Sequence, residues 1–361
     1  MIRIATIGTS PITCDFIEVL NACDRAAFVG TLSRNAERAA AFTAEHGGSL
    51  PFCDLAELAA SDEVDAVYLG SPNALHHRQA LACIAGGKHV LAEKPLGANR
   101  AQAQEVFDAA EAKGVVAMEA MRPVHDPAFQ LLRDALPELG RIRRATLRFG
   151  KYSSRYDDIL AGRHTNIFDC AMASGSLMDI GVYTVEPLVA LFGEPESVVA
   201  AGVLLDESTR ELTGGPIDGA GVICAKYADM VATLHHSKIT ADLADNQIEG
   251  ELGTLTFEGV SAPVRARIDL RGKAVRDSAK GYSGTRTTSR ELPLPACDNT
   301  MCYELADFVC AVEAVAAGTP PLEAMAGEHG TVARFRDITL ASLGIMDEAR
   351  HQMGVAFPAD R

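Results

Sequence analysis

The stretch IRIATIGTSPITCDFIEVL, residues 2–20, decides the fold class. Residues 2–7 read as a strand, and residues 11–20 read as a helix with a continuous apolar face. Gly8 lies between them, where a tight turn from strand into helix needs an unrestricted backbone. Ser10 is a preferred N-cap residue and Pro11 suits the first helical position. The stretch therefore predicts the opening strand, turn and helix of a βαβ unit.

The turn itself departs from the usual phosphate-binding glycine fingerprint. Ser10 and Thr13 stand where a second and a third glycine are expected. The helix amides and dipole would still attract an anion, with the Ser10 hydroxyl as a further contact. Two interpretations stay open: a working variant of a nucleotide site, and a well-capped helix start without a ligand.

Strand and helix signals go on alternating with short connections up to residue 121, and this predicts a doubly wound parallel sheet. After Pro123 several strand-like runs follow one another without crossover helices, and this predicts an antiparallel sheet. We expect an α/β dinucleotide-binding Rossmann domain over residues 1–121. Residues 122–361 are expected to form an α+β substrate and oligomerisation domain on an open, mainly antiparallel sheet. Residues 213–221 and 271–290 read as loops.

Composition narrows the classes of function. The 361 residues carry a formal net charge of −15, which disfavours nucleic acid and anionic membranes as partners. Apolar runs stay short of the roughly 20 residues of a membrane helix, and the first residues lack a signal-peptide pattern. The nine cysteines are scattered without a CxxC pair, which predicts reduced thiols and no metal site. A cytoplasmic enzyme is expected.

The end of the second strand bears on the nucleotide. An NAD site usually places Asp or Glu there for the ribose hydroxyls, whereas an NADP site drops that charge and offers arginine. Ser33 and Arg34 occupy the position, and Arg38 follows one helical turn later. A hydroxyl beside a guanidinium suits a 2′-phosphate. The alternative is a solvated helix start in which neither arginine binds a ligand.

Four further segments carry a family resemblance: GSPNALHHRQAL at 70–81, GGKHVLAEKPLGANR at 86–100, MEAMR at 118–122 and GSLMDIGVY at 175–183. They resemble the PNxxH segment, the EKP signature and the second signature of the Gfo/Idh/MocA oxidoreductases. The collinear match covers residues 1 to about 200. The resemblance implies a Rossmann domain joined to an open antiparallel sheet, and a nicotinamide-dependent redox enzyme.

The same resemblance implies the catalytic residues. Lys94 of EKP corresponds to the family's catalytic lysine, and Asp179 and Tyr183 lie four residues apart in the second signature. Tyr183 is similar to the tyrosine subset that includes glucose–fructose oxidoreductase and dimeric dihydrodiol dehydrogenase. Other interpretations stay open: a Lys94–Glu93 salt bridge, a helix cap formed by Asp179 with Ser176, and a half-buried core aromatic at Tyr183.

We expect Tyr183 to exchange the proton, Lys94 to lower the pKa of that phenol, and Asp179 to orient the substrate or Tyr183. His76 is either a nucleotide contact or a helix-start histidine. The expected nucleotide-binding residues are Gly8, Thr9, Ser10, Ile12, Ser33, Arg34, Arg38, Ser71, Pro72, Asn73, His76, Glu93, Lys94 and Arg122. The expected substrate-binding residues are Lys94, Tyr152, Tyr156, Phe168, Asp179 and Tyr183.

The sequence thus predicts an NADP(H)-preferring oxidoreductase, with NAD possible, that acts on a carbinol or carbonyl carbon of a sugar, cyclitol or small diol. A homodimer or homotetramer is expected. One alternative is a ligand-sensing regulator on the same fold, which needs neither Lys94 nor Tyr183. Another is an enzyme that keeps its NADP bound through turnover.

Overall fold

The computed structural model describes residues 1–276 and 283–361. Its first sheet has five parallel strands: β1 (Ile2–Ile7), β2 (Ala26–Leu32), β3 (Ala66–Leu69), β4 (His89–Glu93) and β5 (Ala117–Ala120). The helices that connect them are α1 (Pro11–Asn21), α2 (Ala36–Glu45), α3 (Leu55–Ala60), α4 (Asn73–Ala85) and α5 (Arg100–Lys113). The predicted doubly wound sheet is confirmed.

The strand order is β2-β1-β3-β4-β5. The chain runs from β1 to β2 on one side, and then crosses back over β1 to form β3 on its other side. In open α/β sheets, ligands bind at such a switch point, outside the carboxyl ends of the strands. Gly8 follows β1 and Gly70 follows β3, so both glycines lie at this crevice.

The second sheet has eight strands: β6 (Ile142–Gly150), β7 (Ser197–Leu204), β8 (Asp218–Lys226), β9 (Val231–Ser237), β10 (Asn246–Gly250), β11 (Gly253–Glu258), β12 (Arg265–Arg276) and β13 (Ser283–Leu292). Their order is β13-β12-β11-β10-β6-β9-β8-β7. The pairings are antiparallel apart from β6 with β9, which run parallel. The expected open, mainly antiparallel sheet is confirmed.

The remaining helices are α6 (Arg122–His125), α7 (Pro127–Ala135), α8 (Ser154–Leu160), α9 (Val182–Phe192), α10 (Arg210–Thr213), α11 (Met301–Ala316) and α12 (Val332–Met353). A π-helical turn, Leu177–Gly181, leads directly into α9. Two short strands, β14 (Met325–Ala326) and β15 (Gly330–Thr331), form a separate hairpin.

Two of the predicted loops were wrong in part. Residues 271–276 and 283–290 belong to β12 and β13, whose main chains pair and override the polar, turn-like composition. The middle of that predicted loop, 277–282, lies outside the described residues. The other predicted loop, 213–221, ends earlier than expected because β8 begins at Asp218 and pairs with β9 from Ala220.

The last two long helices return to the first sheet. Helix α11 packs against α1, and α12 packs against α5 and β5. Thr339 of α12 donates a buried 2.7 Å hydrogen bond to Glu119 of β5. The predicted division at residue 121 falls just after β5, yet the segment beyond it contributes helices to both halves of the molecule.

One helical stretch, Cys170–Phe192, is long and apolar enough to cross a membrane, judged by length and composition. It exceeds the apolar length expected from the sequence. However, 78% of its most apolar window is buried inside the protein, as in the core helix of a soluble protein. All nine cysteines are free thiols.

Candidate active site

Two glycines bring the ends of β1 and β3 together at the switch point. Gly8 has a φ of +116°, and a Cβ there would lie 2.8 Å from the Gly70 carbonyl oxygen. A Cβ on Gly70 would lie 2.5 Å from Thr13 Oγ1. The room that a third fingerprint glycine would give on α1 is therefore supplied by Gly70, which follows β3. Sequence reasoning missed Gly70, although its place just after a buried strand was a signal.

The start of α1 forms as predicted, but Ser10 does not cap it through its side chain. Helix α1 begins at Pro11, and Ser10 has the extended backbone of an N-cap residue. Its hydroxyl lies 3.1 Å from Thr13 Oγ1 and 3.4 Å from the Gly70 carbonyl oxygen. The Ser10 hydroxyl therefore faces Thr13, which stands at the third fingerprint position, and the Gly70 carbonyl oxygen rather than the helix amides. The expected side-chain cap is thus wrong, while the amide-lined turn remains.

The two arginines after β2 differ in their surroundings. Arg38 donates from Nε to Thr9 Oγ1 at 2.7 Å and from Nη2 to the Thr9 carbonyl oxygen at 3.2 Å. Its own amide is capped by Asn35 at 2.9 Å. Arg34 is exposed and Ser33 is half-buried. Arg38 therefore ties the start of α2 to the turn after Gly8, and Arg34 is the guanidinium that projects from the end of β2 into solvent.

His76 lies between the two motif segments. It is wholly buried, with Nε2 at 2.7 Å from the Ser71 carbonyl oxygen and Nδ1 at 3.0 Å from the Pro95 carbonyl oxygen. Burial lowers the pKa of His76. Because a neutral imidazole has one N–H, His76 donates to only one of these two carbonyl oxygens. Its role as a nucleotide contact stays a prediction. His76 is a positioning residue for the segments that follow β3 and β4.

Lys94, Asp179 and Tyr183 come together where the end of β4 meets the π-helical turn and the start of α9. Lys94 Nζ donates to the Asp179 carbonyl oxygen at 2.6 Å and lies 3.5 Å from Asp179 Oδ1. The same Nζ lies 4.7 Å from the centre of the Tyr183 ring. Lys238, which follows β9, is paired with Asp179 Oδ2. Sequence reasoning missed Lys238, because nothing in a strand-end lysine shows which carboxylate it meets.

Asp179 does not cap a helix, so that interpretation is wrong. It lies within the π-helical turn, and the amide of Leu177 is instead bound by Asp218 Oδ2 at 2.7 Å. The carboxylate of Asp179 is left for the two lysine ammonium groups. Burial would raise the pKa of Asp179, but Lys94 and Lys238 outweigh it and hold the pKa below its usual value. Asp179 is therefore ionised.

The same neighbours set the protonation of Lys94 and Tyr183. Burial acts to lower the pKa of Lys94, but the neighbouring acidic groups, Tyr183 when it is ionised and then Asp179 and Glu93, outweigh burial and the net pKa is raised. Burial raises the pKa of Tyr183, Lys94 and Arg122 lower it, Glu93 raises it, and the net pKa lies above its usual value. Lys94 is thus an ammonium and Tyr183 a neutral phenol. The expectation that Lys94 brings the phenol below its ordinary pKa is wrong in this structure, because burial of the ring dominates.

Two cavities meet at this group of side chains, and Lys94, Ile167, Asp179 and Tyr183 line both. The first, of about 390 Å³, lies on the switch-point side; it is called the nucleotide-side cavity. Its other lining residues are Ser10, Ile12, Gly70, Ser71, Pro72, Asn73, Glu93, Asn166, Met172 and Ser174. The second, of about 420 Å³, lies toward the large sheet; it is called the substrate-side cavity. Its other lining residues are Arg122, Phe149, Lys151, Tyr152, Ser153, Ser154, Arg155, Ile180, Lys238 and Ser261.

Of the aromatic residues other than Tyr183 that are expected at the substrate, one lines these cavities and two do not. Tyr152 lines the substrate-side cavity. Phe168 is wholly buried, and half-buried Tyr156 packs against it with ring centres 6.1 Å apart. The expectation that Phe168 contacts substrate is therefore wrong; the ring supports Tyr156 from the core. Arg122, expected at the nucleotide, lies on the substrate-side cavity instead.

Buried carboxyl groups support the site from behind. Glu93 Oε1 accepts a 2.6 Å hydrogen bond from Tyr68, and Glu119 Oε1 accepts one of 2.7 Å from the Leu96 amide. The second of these bonds holds the turn that follows Lys94, where the Lys94–Pro95 peptide is cis. Glu93 is thus committed to Tyr68, so the interpretation of a simple Lys94–Glu93 salt bridge gives way to the Lys94–Asp179 contact. In the described part of the chain, no cluster of three or more His, Cys, Asp and Glu side chains is arranged to hold a metal ion.

Comparison with known proteins agrees with this geometry. The model described as "Oxidoreductase family, NAD-binding Rossmann fold" matches residues 2–121, and the "GFO/IDH/MocA C-terminal domain" model matches residues 129–256. The chain is 38% identical over 361 residues, covering 100% of both proteins, to scyllo-inositol 2-dehydrogenase (NADP(+)) IolU of Bacillus subtilis (strain 168). The chain belongs to the Gfo/Idh/MocA oxidoreductase family.

This Gfo/Idh/MocA oxidoreductase has further named relatives. It is 26% identical over 375 residues to trans-1,2-dihydrobenzene-1,2-diol dehydrogenase of Sus scrofa, covering 100% of this chain and 99% of that protein. KijD10, a 3-ketoreductase from Actinomadura kijaniata solved with NADP and TDP-benzene, is similar in fold, with a TM-score of 0.78 at 24% identity over 98% of each chain. The predicted family and the enzyme class are confirmed.

Proposed function

We propose that the protein is an NADP(H)-dependent oxidoreductase that interconverts a carbinol and a carbonyl carbon of a sugar, cyclitol or small diol. The observation that carries this proposal is the junction of the two cavities at Lys94, Asp179 and Tyr183. A cation and a phenol at such a junction suit proton exchange with a substrate oxygen. The relatives named for a cyclitol and a diol support the same class of substrate.

The nucleotide-side cavity lies where a dinucleotide binds in this fold. Gly8 and Gly70 approach each other closely because neither has a side chain, and they do so where a pyrophosphate is held in this fold. Ser10, Ile12, Ser71, Pro72 and Asn73 would hold the nucleotide, with Glu93 and Lys94 at its inner end. When bound, the nicotinamide supplies or accepts the hydride.

The chain's own residues would handle the proton. The Tyr183 hydroxyl donates to the substrate oxygen during carbonyl reduction and takes that proton back during alcohol oxidation. Lys94 stabilises the charge that develops on that oxygen, and it is oriented by the Asp179 carbonyl oxygen. Lys238 also pairs with the Asp179 carboxylate. One negative charge is thus shared by two ammonium groups, so Asp179 does not fully neutralise the charge of Lys94.

The test is a screen of sugars, cyclitols and diols for an NADP-dependent change in the absorbance of the reduced nicotinamide. Turnover that requires both a polyol and the nucleotide supports the proposal. Binding of nucleotide without turnover on any member of the panel would favour a ligand-sensing regulator. The presence of both Lys94 and Tyr183 at the cavity junction argues against that alternative, because sensing requires neither.

The nucleotide preference gives a separate prediction. We expect tighter binding of NADPH than of NADH, because the end of β2 offers Arg34 and no carboxylate at the ribose position. Arg34→Ala is expected to remove most of the preference, a loss of at least about tenfold in relative affinity. Fluorescence titration with both nucleotides measures it. Arg163→Ala, an exposed arginine remote from β2, is the control. Equal affinities in the unmodified protein would contradict the prediction.

Two finer points belong to the same proposal. An enzyme that keeps NADP bound through turnover would release dinucleotide into the supernatant when the purified protein is heated.

We also infer a cytoplasmic homodimer or homotetramer that covers one face of the large sheet, where Val199 and Val203 of β7 are 69% and 58% exposed. Light scattering at the monomer mass across micromolar concentrations would contradict the oligomer.

A further inference from the structure

The substrate-side cavity is far more basic than the protein around it. It is lined by Lys94, Arg122, Lys151, Arg155 and Lys238, and Asp179 is the one acidic side chain among its described lining residues. The whole chain has the opposite balance, with 33 Lys and Arg against 48 Asp and Glu. The basic lining is therefore a local property that composition does not explain.

The inner cations are only partly neutralised. The side chains of Lys94 and Lys238 are 12% and 10% exposed, and they share the single carboxylate of Asp179. Arg122 lies beside Tyr183 and near the buried carboxyl of Glu304. Neither carboxyl oxygen of Glu304 has a hydrogen-bond partner in the described part of the chain, so Glu304 forms no ion pair with Arg122, and burial raises the pKa of this carboxyl. The cavity floor keeps an excess of positive charge.

The rim adds two more cations at a defined place. The main chain of 151–153 is held beside β9, because the Lys151 amide donates to the Ser237 carbonyl oxygen and the Ser153 amide to that of Lys238, both at 2.9 Å. Lys151 and Arg155 are both exposed. Main-chain pairing therefore brings the segment that carries both rim cations next to Lys238.

The ion pair of Arg155 leaves much of its charge available. Arg155 Nη1 lies 3.4 Å from Asp158 Oδ2. The other oxygen of Asp158 accepts two hydrogen bonds from Arg163, at 3.1 and 2.6 Å. One carboxylate is thus shared between two guanidinium groups, and exposed pairs of this kind are weak. A ligand anion at the rim would meet an incompletely paired Arg155.

We propose that the preferred substrate is a polyhydroxy compound with an anionic group, a carboxylate or a phosphate, which Lys151 and Arg155 bind at the rim above Lys238. This inference rests on the proposed function, since it assumes that the substrate enters this cavity. Guanidinium and ammonium groups bind both kinds of anion, and a basic cleft concentrates anionic ligands. The carbinol or carbonyl carbon would then lie deeper, toward Lys94 and Tyr183.

The test compares matched neutral and anionic polyols: an aldose with its aldonate, and a cyclitol with its monophosphate. The measured quantity is the ratio of kcat/KM, anionic over neutral, with NADP⁺. We expect a ratio of at least about ten, which falls as NaCl rises from about 0.05 to 0.5 M because salt screens the rim charges. The two pairs show whether carboxylate or phosphate is the better ligand.

The double variant Lys151→Gln/Arg155→Gln is expected to lower this ratio at least about tenfold, mainly through KM, because the rim charges act on binding more than on the proton step. Lys113→Gln, an exposed lysine in the last turn of α5, should leave the ratio unchanged. A ratio near one in the unmodified protein, or a ratio that the double variant retains, would overturn the proposal.

Calorimetric titration of the same compounds into the protein with NADP⁺ separates this inference from the proposed function. Anion-dependent binding that the double variant loses, without turnover of any compound, would support the anion site and contradict the oxidoreductase activity. Turnover of neutral polyols without preferential binding of the anionic partners would support the activity and overturn the anion site.

Discussion

Replacing Tyr183 by Phe is expected to lower the rate of carbonyl reduction by about 10²–10⁴-fold, the usual contribution of a positioned acid–base group. The substitution removes the hydroxyl and keeps the ring, which is 7% exposed and packs against Phe149 with centres 5.6 Å apart. The fold and the nucleotide affinity should therefore change little. Steady-state rates on a cognate substrate, with NADPH binding measured in parallel, check the prediction.

The pH profile should distinguish the two directions of the reaction. Because burial raises the pKa of Tyr183, the phenol carries its proton through neutral pH. Carbonyl reduction, which needs the protonated phenol, is expected to be flat between about pH 6 and 9. Alcohol oxidation needs the deprotonated form, so its rate is expected to rise with pH across the same range. The apparent pKa belongs to the coupled Lys94 and Tyr183 pair.

Tyr227→Phe is a matched control. The Tyr227 hydroxyl donates to the Gly193 carbonyl oxygen at 2.9 Å, beyond the end of α9 and outside both cavities. Its loss should leave turnover within about twofold. If Tyr183→Phe kept more than half of the activity while a deuterated substrate showed hydride transfer to be rate-limiting, another group would have to carry the proton.

Lys94→Met is expected to cost at least about 10³-fold in kcat. The change keeps an apolar stem and removes the ammonium that lies 4.7 Å from the Tyr183 ring centre. Charge on the substrate oxygen would lose its stabilising cation, and the pKa of Tyr183 would rise further. Single-turnover reduction of a carbonyl substrate measures the chemical step directly.

Lys88→Met provides the comparison at the other end of the same strand. Lys88 comes just before β4, whereas Lys94 comes just after it, and Lys88 Nζ donates to the Ser61 carbonyl oxygen at 2.6 Å. Its replacement should lower thermal stability and leave kcat near its original value. Similar losses of kcat in both variants would mean that Lys94, like Lys88, contributes to folding and not to the chemical step.

The double variant Lys94→Met/Tyr183→Phe is expected to cost far less than the product of the two single effects. Both side chains serve the same proton transfer, so the loss of either one already removes most of the benefit of the other. Multiplicative losses would show that Lys94 and Tyr183 act independently.

Local sequence was sufficient for the fold and for part of the site. The alternation of strands and helices up to residue 121 required a parallel sheet, since a crossover helix returns the chain to the same edge. Gly8 could be predicted from its place between a strand and a helix, whereas Lys94 and Tyr183 could be predicted because the segments that contain them resemble two signatures of the family. In all three cases the decisive information lies within about ten residues of chain.

Only the tertiary structure decided what distant segments do to one another. Whether Asp179 caps a helix or binds lysines depended on Asp218 and Lys238, which are far away in sequence. His76 and Phe168 proved buried because packing, not local polarity, determines exposure. The pKa of Tyr183 follows from how much of the ring other segments cover. The exposure of a side chain and the electrostatic field at it depend on all of its neighbours in space. A sequence gives only the neighbours along the chain, so it does not determine either quantity.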